Sequence, residues 1–305
     1  MANEQPTERR VLVHGVSTLY YEIGAGPPVL LLPGLAENAR SWWRIMQDLA
    51  LTNRTLALVL PGLGGTSPVH DVRPDHLASF VAAFLDAVEV EEVTLVGHSF
   101  GGAVAAYLTL TYPHRVTRLA LVDAAGLGRA INPLLIASSL IPARVADVLS
   151  TAATLPGFGA LATLSGALLL QQPWRVPPLT WLSQMRLSRS RTPLRTSIEV
   201  LRQGTGLTGQ DPRLIVTGRL KDIEVPALVV WGLTDWLLPV SQGVRAARKL
   251  PNGKLTVIPG AGHVSFVDCH EDFMGALGPF VRDDISRLRR TPSHGEGPGT
   301  GISSP

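Results

Sequence analysis

The sequence predicts an α/β fold: a mostly parallel sheet of about eight strands flanked by helices, with an inserted helical cap domain. Three observations predict it. Short apolar runs recur along the chain, and each ends at a turn residue. Residues 29–32 precede Pro33-Gly34, 56–60 precede Pro61-Gly62, and 93–96 precede Gly97. Residues 119–122 precede Asp123, 227–231 precede Gly232, and 254–258 precede Pro259-Gly260. Strands covered on both faces read this way, because neither face meets water. Between the runs lie segments of helical spacing, such as 76–88, where Leu77, Phe80, Val81, Phe84 and Leu85 share one face. The alternation stops once, from 126 to 222, where the chain is helical in flavour and broken by eight prolines.

Each element follows from this reading. Residues 11–16 and 18–23 form an antiparallel entry to the sheet. Residues 11–125 and 223–290 make the two parts of the core, and 126–222 make the cap between them. Residues 291–305 are rich in Gly, Ser and Pro without periodicity, which predicts a disordered tail. Between Asp147 and Arg175 there is no charged residue. Pro156, Gly157, Gly159 and Gly166 interrupt that run, so it predicts two short buried helices around a Pro-Gly turn rather than a membrane span.

Composition excludes several classes. A chain of 305 residues buries a sizeable core without a disulfide framework. Hydrophobic residues at 45% against 17% charged exclude an intrinsically disordered chain. The single cysteine, Cys269, excludes an intramolecular disulfide and a Cys-based zinc site. Residues 1–10 are polar and no apolar segment follows, so no secretory signal is expected and the location reads as cytoplasmic.

The chemistry concentrates at Gly97-His98-Ser99-Phe100-Gly101. This G-x-S-x-G pattern lies between an apolar strand and an apolar helix, the context of a nucleophile elbow. Ser99 then sits at the tip of a sharp turn. Gly97 and Gly101 are expected to be glycine because a side chain at either would strike the neighbouring strand or helix. The helix start behind Ser99 favours developing negative charge.

With these residues the chain resembles the α/β-hydrolase superfamily over residues 11–288. Other segments match it: Gly24-Ala25-Gly26-Pro27-Pro28 leading to Pro33-Gly34, the loop from Pro61 to Ser67, and Gly262-His263 followed by Asp268, Glu271 and Phe273. The resemblance implies the order serine, acid, histidine. A serine hydroxyl needs an adjacent base, and His263, opening the last loop, fits best. Asp235 follows a strand in Trp231-Gly232-Leu233-Thr234-Asp235 and is the expected acid, with Asp123 as the alternative. The backbone N–H groups of Phe100 and Leu35 are the expected oxyanion hole. The chain departs from the family at Pro33, where a histidine is usual, and at Val59, where an aspartate is common. Neither a metal nor an organic cofactor is implied.

The expected reaction is hydrolysis of a carboxylic ester or thioester through an acyl-enzyme. C–C bond hydrolases of ring-cleavage products and cofactor-free haloperoxidases share the same three residue types. A non-catalytic ligand receptor on this fold is a further class. Leu134 to Leu140, Trp174, Trp181 and Met185 make the cap apolar, which predicts an apolar acyl group or ring in the substrate. His98, Trp174, Trp181, Met185 and Val264 are the pocket candidates. His270 is expected on the solvent side of the last helix. Charge is uneven: residues 175–219 carry eight Arg against Glu199 and Asp211, a net of +6 in a chain whose total is +3. That segment suits an acidic carrier protein or an anionic surface as partner. Nothing in the sequence suggests a nucleic-acid partner.

Overall fold

The computed structural model describes residues 4–167 and 169–282. The tail expected at 291–305, and the end of the core part at 283–290, lie outside the described residues.

The strands of the main sheet are β1 (Thr7–Val13), β2 (Val16–Ile23), β3 (Pro28–Leu32), β4 (Arg54–Leu58), β5 (Val93–His98) and β6 (Val116–Val122), joined late in the chain by β9 (Ala227–Gly232) and β10 (Gly253–Ile258). Their order is β1-β2-β4-β3-β5-β6-β9-β10. β2 pairs antiparallel with β1 and β4, and every other pairing is parallel. The antiparallel entry expected from 11–23 is present, and it starts earlier, at Thr7.

The apolar runs are strands because both of their faces are covered. Leu30 and Leu32 pack on one side of the sheet, and Val29 and Leu31 on the other. Leu119 and Leu121 alternate with Ala120 and Val122 in the same way. One layer is built by α2 (Pro74–Ala87), α3 (Ser99–Thr111) and α9 (Ser241–Lys249). The opposite layer is built by α1 (Trp43–Leu49) and α11 (His270–Val281), the latter preceded by the single turn α10 (Ser265–Asp268).

Between β6 and β9 the chain leaves the sheet. It forms α4 (Pro133–Ser139), α5 (Ala143–Ala152), α6 (Phe158–Ala167), α7 (Pro178–Ser188) and α8 (Arg191–Gly204), followed by a two-residue hairpin of β7 (Thr205–Gly206) and β8 (Gly209–Gln210). The Pro156-Gly157 turn separates α5 from α6, as expected. The expectation that these two helices are buried does not hold: Leu161 and Leu164 of α6 are 67% and 68% exposed. An apolar sequence predicts a helix but not what covers it, and here one face packs inward while the other meets solvent. No single described helix is long and apolar enough to cross a membrane.

His270 is also placed differently. It is buried, and its Nε2 lies 2.7 Å from Asp48 Oδ2 of α1. Burial lowers its pKa, and the Asp48 hydrogen bond opposes that shift. The pairing partner is 222 residues away in sequence, so local spacing carries no sign of it.

Candidate active site

Ser99 stands at the junction of β5 and α3 with φ of +49°, the left-handed region that non-glycine residues rarely occupy. Three glycines make the turn possible. A Cβ on Gly97 would lie 2.5 Å from the carbonyl oxygen of Gly101. On Gly101 it would lie 2.2 Å from that of Leu32, and on Gly102 it would lie 2.5 Å from the Cβ of Ala124. The helix and the strand therefore approach closely enough to aim Ser99 out of the sheet.

Two loops at the C-terminal ends of strands bring their side chains to this serine. His263, after β10, has Nε2 at 2.9 Å from Ser99 Oγ and Nδ1 at 2.9 Å from Asp235 Oδ2. Asp235, after β9, accepts the N–H groups of Leu237 and Leu238 on its other oxygen, at 2.9 and 3.0 Å. Both Asp235 and His263 are buried. The two loops touch through their backbones: a Cβ on Gly232 would lie 2.1 Å from the carbonyl oxygen of Gly262. A hydroxyl, an imidazole and a carboxylate in this series can activate the hydroxyl as a nucleophile.

Asp123, the alternative acid, is hydrogen-bonded to Gly232 and Ser265 rather than to His263. It ends β6 with φ of +44° and is fully buried. One oxygen accepts the Gly232 N–H at 2.7 Å, and the other accepts the Ser265 hydroxyl at 2.6 Å. Burial and the neighbouring Asp235 charge push its pKa up to about 7. Its hydrogen bonds tie the start of the acid loop to the turn after His263.

Leu35 and Phe100 both line the cavity beside Ser99. The Phe100 N–H belongs to the first turn of α3, where intrahelical acceptors are lacking. Gly34 comes so close that its added Cβ would lie 3.1 Å from Ser99 Cβ, which places the Leu35 loop against the serine. With Pro33 in place of the usual histidine, the loop is held by a different residue. Glu37 accepts the Gly34 N–H and the Ser41 hydroxyl, both at 2.6 Å, and lies 2.8 Å from His98 Nδ1. His98 Nε2 in turn donates to the carbonyl oxygen of His263 at 2.8 Å. Burial pulls the His98 pKa down, but the charge and hydrogen bond of Glu37 outweigh it and raise the value to about 9. Burial likewise pushes Glu37 up, and His98 together with the hydrogen bonds from Ser41 and Gly34 more than compensates, leaving Glu37 below its ordinary value. The pair is a buried ion pair that joins the Leu35 loop to the histidine loop.

Asp268 forms a second brace. It accepts the N–H groups of Gly262 and Gln172 at 2.8 Å and of Gln171 at 3.1 Å. Gln184 of α7 donates to the carbonyl oxygen of Ala36 at 2.8 Å. The helical segment is thereby fastened to both loops beside Ser99. The sequence reading missed Glu37 and the role of Asp268. Glu37 carries no motif, and Asp268 was noted only as part of the family pattern after His263.

These groups surround a cavity of about 500 Å³. His98, Trp181 and Val264 line it as expected, together with Phe158, Leu169 and Leu170. Trp174 and Met185 are not among the lining residues. Trp174 is 76% exposed on a short 3-10 turn. Met185 lies where α7 packs on α6, with its carbonyl oxygen against Gly159. Proximity in sequence to the apolar run suggested both residues, and it does not encode which side of a helix or turn faces the cavity. Among the described residues, no cluster of three His, Cys, Asp or Glu side chains is placed to hold a metal ion.

A family model of the α/β hydrolase fold matches residues 27–268. The chain belongs to the α/β-hydrolase fold family. Within it, the chain is 26% identical to 2-hydroxy-6-oxo-2,4-heptadienoate hydrolase of Pseudomonas putida over 300 residues, covering 90% of this chain and 95% of that protein. It is 30% identical over 282 residues to the dihydrolipoyllysine-residue acetyltransferase component of an acetoin cleaving system of Pseudomonas putida, covering 91% and 70%. The crystal structure of a membrane phospholipase A superposes with a TM-score of 0.71 at 25% identity, covering 93% of this chain and 86% of that one. The protein is accordingly an α/β-fold hydrolase.

Proposed function

We propose that the protein hydrolyses carboxylic esters or thioesters with an apolar acyl or ring portion, using Ser99, His263 and Asp235. The observation that carries this reading is the hydrogen-bonded series of the three side chains at the wall of an apolar cavity. His263 Nε2 takes the Ser99 proton as Oγ attacks the acyl carbonyl, and the carbonyl π electrons move onto oxygen. The N–H groups of Leu35 and Phe100 stabilise that oxyanion. As the tetrahedral species collapses, the C–O or C–S bond to the leaving group breaks and His263 returns the proton to it. Water then attacks the acyl-enzyme with His263 again as base, releasing the acid and restoring Ser99. Asp235 orients the imidazole and stabilises its charged form throughout.

C–C bond hydrolysis is the second reading, favoured by the 26% identity to the heptadienoate hydrolase over nearly the whole chain. The cavity wall supports the ester reading over it. Among the lining residues the charged groups are Glu37 and Arg73, apart from the histidines, and Arg73 is already paired with Asp71 at 2.8 Å. Among the described lining residues, a substrate carboxylate would have no free cation to meet.

The test is a panel of p-nitrophenyl esters of increasing chain length beside a ring-cleavage dienoate, with Ser99→Ala as control. The expected result is ester turnover rising with acyl length and absent in S99A. Turnover of the dienoate well above every ester would replace this reading with the second one. Ester turnover undiminished in S99A would remove Ser99 from the mechanism.

A further inference from the structure

Eleven of the seventeen large apolar side chains exposed among the described residues lie between Leu134 and Leu182. Scattered exposed leucines are ordinary, but a concentration in one stretch marks an interaction surface. On α5, Val145, Val148 and Leu149 point outward at spacings that place them on one stripe. Leu155 in the following turn is 59% exposed. On α6, Thr163 and Gly159 face inward while Leu161 and Leu164 face solvent. This helix is thus apolar on both sides, a pattern that water disfavours. Its inner side, through Phe158, Ala162 and Thr163, lines the cavity. No charged residue occurs from 148 to 174.

Cationic side chains stand on α5 and on the helices packed against α5 and α6: Arg144 on α5, Arg186 and Arg189 at the end of α7, which packs on α6, and Arg191 at the start of α8, which packs on α5. Arg144, Arg186, Arg189 and Arg191 are exposed, and none has a carboxylate partner among the described residues. Arg189 packs directly on α6: a Cβ on Gly159 would lie 2.3 Å from Arg189 Cγ. By contrast, Arg195 and Arg213 are already paired with Asp147 and Asp211.

We propose that the outer face of α5 and α6, with Trp174, docks on an anionic lipid surface. An apolar centre with unpaired arginines on the same and neighbouring helices matches the boundary between acyl chains and anionic headgroups. An exposed tryptophan suits that interfacial depth. A second copy of the chain fits less well, since an isologous contact sets the arginines of one copy against those of the other. An acidic carrier protein matches the arginines but not the charge-free leucines between them. The surface that meets lipid is then the outer side of a cavity wall one helix thick. This inference concerns binding and holds whichever bond the enzyme cleaves.

The experiment is vesicle flotation of the full chain, with phosphatidylcholine alone and with phosphatidylglycerol added, at low and high salt. The expected result is flotation with the anionic vesicles, several-fold less with phosphatidylcholine alone, and a decline with salt. Leu161→Glu combined with Leu164→Glu is expected to abolish flotation while circular dichroism stays native. Arg186→Ala with Arg189→Ala is expected to weaken it several-fold. If the glutamate pair fails to fold, Trp174→Ala with Leu164→Ser is the substitute and should also reduce flotation several-fold. No flotation with anionic vesicles at low salt overturns the proposal. So does flotation that these variants leave unchanged. Sedimentation showing a dimer that L161E/L164E converts to monomer also overturns it and gives the face to a second copy.

Discussion

His98 donates from Nε2 to the main-chain carbonyl of His263 at 2.8 Å, and its other ring nitrogen holds Glu37 at the same distance. The side chain next to Ser99 in sequence therefore holds the main chain of His263 in place. Removing the Glu37 charge strands a buried imidazolium, a change that costs about 3–5 kcal/mol when a buried pair loses one partner. Glu37→Gln is expected to lower stability in urea by that amount and to slow turnover. An unchanged urea midpoint would show that the pair is not ionised.

The same pair predicts a pH dependence of stability. The folded pKa of His98, about 9, lies above its ordinary 6.5. Its contribution is thus complete below 6.5 and is lost as pH rises through about 9. Glu37 is shifted the other way, so its contribution is present above 4.5 and is lost as pH falls through its lower folded value. The urea midpoint should fall as pH is raised through about 9, and His98→Gln should remove that fall.

Asp235 and Asp123 lie in one buried network but should respond differently to loss of charge. Asp235→Asn leaves the imidazole without its acceptor and is expected to reduce turnover by about 10⁴-fold. Asp123→Asn keeps an acceptor for the Gly232 N–H and should retain most of the turnover. Comparable losses in both variants would assign Asp123 a direct part in the reaction.

Two glycines test the elbow against an ordinary helix site. Gly101→Ala would drive a Cβ to 2.2 Å from a backbone oxygen of β3, and backbone cannot yield as a side-chain end can. It is expected to prevent soluble expression or to abolish activity. Gly275→Ala, on the exposed side of α11 with nothing within 4 Å, should stabilise the protein by about 0.5–1 kcal/mol. Thermal melts of both variants decide the point.

The sheet was legible in the sequence because strands covered on both faces leave continuous apolar runs, as at Val29 to Leu32. Ser99, Asp235 and His263 were legible because each follows a strand at a turn with distinctive glycines. Glu37, His270 and Trp174 were not. The first two owe their roles to partners far along the chain, His98 and Asp48, which no local pattern names. The exposure of Trp174 depends on how a short turn is rotated, which composition does not encode. The segment from 147 to 175 was correctly read as two helices, but an apolar helix reads the same whether protein or solvent lies on its far side.

Asp268 and Gln184 have a mechanical consequence. The segment between β6 and β9 is joined to the sheet at its two ends, but it is also tied down near its middle, at Gln171 and Gln172, and again at Gln184. A flap hinged only at its ends would swing as one piece. This one is divided, like a beam resting on intermediate supports, and α6 packs on the supported α7. The supports are the loops that carry His263 and Leu35. Strain in the roof is therefore delivered to the loops of the two residues proposed as general base and oxyanion donor.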